Sequence, residues 1–170
     1  AATGQPISPA QENLPEYLTI RKSVSKEELV PGDEFVYDIF LSCQETDCIN
    51  AELNDNFPAD LEGWPITNVV ITPGEAEIPR TATWYEGETA LVERPAALGA
   101  DTRLHVDLSH ETENESVGMV NGQTLRVQVT VRVPADLPGG TDITAVNHVT
   151  SHADNSAPGA DDATVRVQVP

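Results

Sequence analysis

Three residues, far apart in the chain, carry between them the groups of an acyl-transfer reaction. Lys22 offers an amine, Asn147 an amide carbon, and Asp55 a carboxyl group able to move protons between the two. Each sits where its segment should face inward. In Leu18-Thr19-Ile20-Arg21-Lys22-Ser23-Val24 a period-2 alternation places Lys22 with Leu18, Ile20 and Val24. In 51–57 Asp55 shares a face with Ala51, Leu53 and Phe57, and in 143–149 Asn147 shares one with Ile143, Ala145 and Val149. A buried ammonium costs several kcal/mol unless it is paired, deprotonated or consumed. Burial among Phe35, Tyr37, Phe57 and Trp84 lowers a lysine pKa by up to about 3–5 units, enough to free the amine.

The chemistry open to this set is an intramolecular Lys22–Asn147 isopeptide bond. Asp55, kept protonated by the same burial, would hydrogen-bond the carboxamide and shuttle protons as ammonia leaves. The reaction is single-turnover and leaves no catalyst for outside substrates. The competing reading is an ordinary buried Lys22–Asp55 ion pair, with Asn147 bonded to nearby backbone. Lys26, the other lysine, lies in Ser25-Lys26-Glu27-Glu28 and belongs to solvent.

Strands must position these groups. Short Val/Ile/Thr-rich runs are separated by turn residues: Phe35–Leu41 after Pro31-Gly32-Asp33, Val69–Ile71, Thr81–Tyr85, Leu104–Leu108, and Leu125–Val133 with every odd position apolar. Pro138-Gly139-Gly140 turns into the Asn147 strand, Ser151 to Asp162 reads as a loop, and Thr164–Val169 as a last strand. This pattern predicts an all-β, Ig-like antiparallel β-sandwich of about seven to nine strands. Residues 1–16, rich in Ala, Pro and Gln, read as an N-terminal arm or linker, and 17–170 as one sandwich domain.

Composition narrows the function. The 170 residues are 39% hydrophobic, enough for one real core, with a net charge of −19. Scattered basic residues on so acidic a chain argue against nucleic acid and against anionic lipid, and no apolar run is long enough to insert in a membrane. The acidity suits a solvated surface or a salt-adapted protein. Cys43 and Cys48, with four residues between them, read as a local disulfide across a strand-to-strand loop, which implies an oxidising, extracellular setting.

Cofactors and metals are not expected. His148 and His152, like His105 and His110, lack a third ligand at useful spacing, and Asp154, Asn155, Asp161 and Asp162 fit no calcium-loop pattern. Trp64 and Trp84 are expected in core or loop packing.

The motifs Leu18–Val24, Val30-Pro31-Gly32-Asp33-Glu34-Phe35-Val36-Tyr37, Leu53–Leu61 and Ile143–Val149 follow one order. From about residue 17 onward the chain resembles the Ig-like conserved-repeat domain (domain of unknown function eleven) and the related isopeptide-forming domains of Gram-positive surface proteins and adhesins. The resemblance implies Lys22 as amine, Asn147 as acceptor and Asp55 as catalytic acid. It also implies a secreted, cell-wall-attached protein whose partners are neighbouring domains of the same chain, with the domain serving as stalk or scaffold. An adhesin reading, with loops at Cys43–Cys48 or Leu61–Leu104 recognising a host protein or glycan, is the alternative. A hydrolase accessory domain comes third. The chain departs from the repeat at the Cys43–Cys48 loop, where an Asn-Gly-like turn is usual, and in the long excursion from Leu61 to Leu104.

Overall fold

The structure is a computed structural model and describes residues 14–111 and 116–170, so most of the arm expected at 1–16 lies outside the described residues. In chain order the strands are β1 (Leu18–Val24), β2 (Glu28–Leu29), β3 (Glu34–Cys43), β4 (Glu52–Asn56), β5 (Ile66–Thr72), β6 (Thr81–Glu86), β7 (Thr89–Ala90), β8 (Thr102–Asp107), β9 (His110–Glu111), β10 (Ser116–Val117), β11 (Thr124–Arg132), β12 (Asp142–Ala153) and β13 (Ser156–Gln168). One sheet runs β1-β3-β11-β5, and the facing one runs β2-β13-β12-β4-β8-β6-β7. Every pairing is antiparallel except the short parallel contact of β2 with β13. This is the Ig-like β-sandwich that the alternation predicted.

Alternation becomes burial because each strand offers one face to the opposite sheet. On β11, Leu125, Val127, Val129 and Val131 are buried and pair across β3 with Leu41, Ile39, Tyr37 and Phe35. On β12, Ala145, Asn147, Val149, Ser151 and Ala153 alternate inward. Gly32, at φ 89°, makes the sharp turn before β3 that a side chain would resist, and Asp33 accepts the Val30 N–H beside it.

One expectation is overturned. The segment 151–162 is not a loop: β12 and β13 pair as a hairpin almost to its tip, with Thr150 opposite Ala160 and Ser151 opposite Gly159. Its polar composition looks loop-like, but the hairpin places those residues in specific contacts. Asn155 accepts the Ile49 N–H and donates to the Asp47 carbonyl, and Asp154 accepts from Asn50. Gly159 lies so close to Ser151 that an added Cβ would approach its Oγ to 2.6 Å.

The hairpin tip therefore rests on the loop closed by the Cys43–Cys48 disulfide. Both half-cystines are fully buried, and Cys48 exchanges backbone hydrogen bonds with Met119. A ring this small removes little chain entropy, so reduction should lower the unfolding free energy by only about 2 kcal/mol and leave the sandwich folded. Denaturant titration with and without reductant measures this. Loss of the folded signal on reduction alone would show that the bridge holds more than the loop.

Candidate functional site

Lys22 and Asp55 meet in the space between the sheets, and Asn147 is buried on the same inner face as Asp55. Lys22 comes from β1, at the edge of the first sheet and paired with Ile39, while Asp55 and Asn147 come from the adjacent β4 and β12 of the second. Asp55 is opposite Val149, so Asn147 is its diagonal neighbour on the same inner face. The inward phase of each alternation is what buries all three side chains between the sheets.

Lys22 Nζ lies 3.1 Å from Asp55 Oδ1, and both side chains are wholly removed from solvent. The amine sits 4.6 Å from the centre of the Tyr37 ring and 5.9 Å from that of Phe57. Tyr37 packs edge-on against Phe35 and Phe57, and Phe57 stacks on Trp84. The walls are thus the aromatic residues expected from the alternation. On the far side Trp64 closes against Phe35, so both tryptophans serve the core.

The hydrogen bonding of this pocket is incomplete. Asp55 Oδ2, the Tyr37 hydroxyl and both polar atoms of the Asn147 carboxamide are buried without a partner. The expected Asp55–Asn147 hydrogen bond is not made: Asp55 Oδ1 accepts from the amine, while Oδ2 and the carboxamide stay unmet. Leaving a buried donor or acceptor unmet costs about 1–3 kcal/mol. Four such atoms around one amine make an expensive arrangement for an inert core.

Burial also biases the charge states. Desolvation lowers the Lys22 pKa from its ordinary 10.5, against the pull of Asp55 and, more weakly, of Asp161 and Asp162. Desolvation likewise raises the Asp55 carboxyl above its usual range, with Lys22 acting the other way. Both shifts favour a neutral amine beside a neutral acid. That pair carries the same single proton as the ion pair does.

Two contributors escaped the sequence reading. Asp161 Oδ2 accepts the Lys22 backbone N–H at 2.7 Å, and Ser156 Oγ accepts that of Leu18 at 2.9 Å. Side chains of β13 thereby satisfy the outer edge of β1 and hold the lysine strand against the second sheet. Both residues lie in the stretch that reads as a loop, where Asp161 stands out only as one of several acidic residues. Tyr37 was recognised as core, but its hydroxyl was not; the signal was a tyrosine in the inward row Phe35, Tyr37, Ile39, Leu41.

The remaining candidates are placed apart from this site. Lys26 is half-exposed and pairs with Asp33. His148 pairs with Asp162 on the outer face, while His105 meets Asn54 and His110 the Leu108 carbonyl. Among the described residues no three His, Cys, Asp or Glu side chains converge as a metal site.

The shifted lysine makes a pH-dependent prediction for Asp55→Asn. There the Lys22 pKa in the folded chain is lowered by burial without the Asp55 carboxylate to oppose it, while the unfolded chain still binds a proton up to about pH 10.5. Because the unfolded state binds more protons, stability should rise with pH from the lowered folded value to 10.5, by at most about 1.4 kcal/mol per pH unit. A melting temperature of this variant that stays flat between pH 7 and 10 would contradict the depressed amine.

No family model matches the chain, and no curated protein matches it. Solved structures do. A chain of the type I cohesin–dockerin complex Coh-OlpC-Doc435 from Clostridium thermocellum aligns with a TM-score of 0.55 at 10% identity, over 94% of this chain and 98% of that one. The seventh ScaB type I cohesin of Pseudobacteroides cellulosolvens gives 0.46 at 13%, over 89% and 94%. BcpA, the major pilin subunit of Bacillus cereus, gives 0.44 at 15%, over 89% of this chain and 40% of the pilin. At such identity the likeness speaks for architecture, and the chain is a two-sheet β-sandwich sharing its fold with the Clostridium thermocellum structure.

Proposed function

We propose that this chain is an extracellular structural module of a bacterial surface protein, which locks itself by an autocatalytic isopeptide bond between Lys22 and Asn147. One observation carries the reading: a buried amine and carboxyl, both biased toward neutrality, lie between the sheets with an unpartnered carboxamide on the strand next to that of the carboxyl. An ordinary ion pair needs no such carboxamide. A nascent amide bond accounts for all three groups.

The atoms balance without a co-reactant. The neutral Lys22 Nζ attacks Cγ of Asn147, forming the Nζ–Cγ bond. Asp55 gives its proton to the departing Nδ2 and takes one from Nζ, the Cγ–Nδ2 bond breaks, and ammonia leaves. Asp55 finishes as it began, and its carboxyl can then face the new amide. The walls of Tyr37 and Phe57 exclude the water that would keep the amine protonated.

The position of the link suits mechanical load. It would tie the first strand of one sheet to β12 of the other, closing a loop of about 125 residues and contributing about 5 kcal/mol by the entropy argument used for disulfides. Segments before Lys22 and after Asn147 could still extend, but the body between them could not. The Cys43–Cys48 disulfide supports an oxidising compartment outside the cytoplasm. The partners of such a module are neighbouring domains of the same protein.

A binding role is the second reading. The Clostridium thermocellum structure is of a cohesin in complex with a dockerin, so the same sandwich supports protein recognition there. In this chain the aromatic residues of the Leu61–Leu104 excursion do not gather at the surface, since Trp64 and Trp84 turn inward. This weakens the case for a loop-borne glycan or host-protein site.

Intact mass under reducing conditions tests the proposal. The wild-type chain should be short by one ammonia, while Lys22→Ala and Asn147→Ala keep their full calculated masses and unfold about 5 kcal/mol more easily. A wild-type chain at full mass would leave Lys22 in a buried ion pair and move the argument to the binding reading.

A further inference from the structure

Attack on an amide carbon throws negative charge onto its oxygen, and acyl-transfer sites meet that charge with a fixed hydrogen-bond donor. Lys22 and Asp55 cannot serve, since one is the nucleophile and the other moves protons. Three buried hydroxyls among the described residues lack a partner: those of Tyr37, Thr67 and Ser151. Thr67 is on β5, two strands away from β3 in the first sheet. Ser151 lies four residues beyond Asn147, about 13 Å along β12. Tyr37 forms the wall of the pocket itself, its ring 4.6 Å from the attacking amine and edge-on to Phe57.

We propose that the Tyr37 hydroxyl is the oxyanion donor of this site, giving its hydrogen bond to the Asn147 carboxamide oxygen as Lys22 attacks. The assignment rests on the cross-linking reading and deepens it. Tyr37 is fully buried and its hydroxyl makes no hydrogen bond of good geometry, both carboxamide atoms of Asn147 are likewise unmet, and the Asn147 side chain is near enough to act on the phenol. Burial, reinforced by Asp55, pushes the phenol pKa well up, so the donor keeps its proton, while the neighbouring Asn147 side chain acts in the opposite sense. A half-turn of the carboxamide exchanges its oxygen and nitrogen, and the reaction requires the oxygen toward the phenol. Tyr37 transfers no proton: the Nζ–Cγ bond forms, Cγ–Nδ2 breaks, Asp55 relays the protons, and ammonia leaves.

The test follows the full chain as it first folds. Wild type and Tyr37→Phe, recovered in denaturant before either has folded, are diluted to refold and quenched over time for intact mass. Tryptophan fluorescence reports folding in parallel. Wild type should lose one ammonia, and Tyr37→Phe should lose it about 10²–10³-fold more slowly while folding at the wild-type rate. In the Lys22→Ala background, where no link can form, adding Tyr37→Phe should change the melting temperature little, because the hydroxyl makes no hydrogen bond of good geometry there. Equal rates of ammonia loss would overturn the Tyr37 role alone. Slowing accompanied by a clear loss of melting temperature in the unlinked background would assign the effect to packing and also overturn it. A wild-type chain that stays at full mass would overturn the cross-linking reading and the Tyr37 role with it.

Discussion

The desolvation of one amine organises this protein. Lys22 lies on the inner face of an edge strand, and keeping it there requires an acid within hydrogen-bond reach, aromatic walls and an edge that does not fray. Asp55 supplies the first, Tyr37 and Phe57 the second, and Asp161 and Ser156 the third by accepting the outward N–H groups of β1. Each element has an ordinary structural use. Together they bury an amine and a carboxyl, both biased toward neutrality, in the same dry interior as an amide carbon.

The incomplete hydrogen bonding of that space is its most telling property. A core selected only for stability would replace Tyr37, Asp55 and Asn147 with apolar residues of similar volume, often at no cost or with a gain. Retaining three polar side chains, four of whose atoms are unmet, makes sense when the polarity is used. Forming an amide expels one nitrogen, consumes the amine and gives the acid a lasting partner. On the proposed reading the fold's free energy drives a covalent closure whose product relieves the unmet polar groups.

Most of this was legible in the residues because a sandwich converts period-2 alternation directly into burial. Lys22, Asp55 and Asn147 were each conspicuous as a polar residue in an apolar phase, and each is buried where that phase put it. The disulfide was legible from spacing. What could not be read was long-range and polar. The sequence 151–162 has the composition of a loop, yet it builds most of a hairpin because its polar groups find partners in the 47–50 segment and along β1. Such partners are set by tertiary position and leave no local periodicity. The same holds for the parallel contact of β2 with β13, and for the Tyr37 hydroxyl, which alternation records only as a core ring.

The account depends on a covalent bond between two named atoms, and peptide sequencing addresses that bond itself. Digestion of the reduced, denatured chain followed by tandem mass spectrometry should yield a branched peptide in which Lys22 Nζ is joined to the Asn147 side-chain carbonyl, with no cleavage by trypsin after Lys22. Recovery of separate linear peptides, with Lys22 cleaved normally and Asn147 intact, would contradict the account.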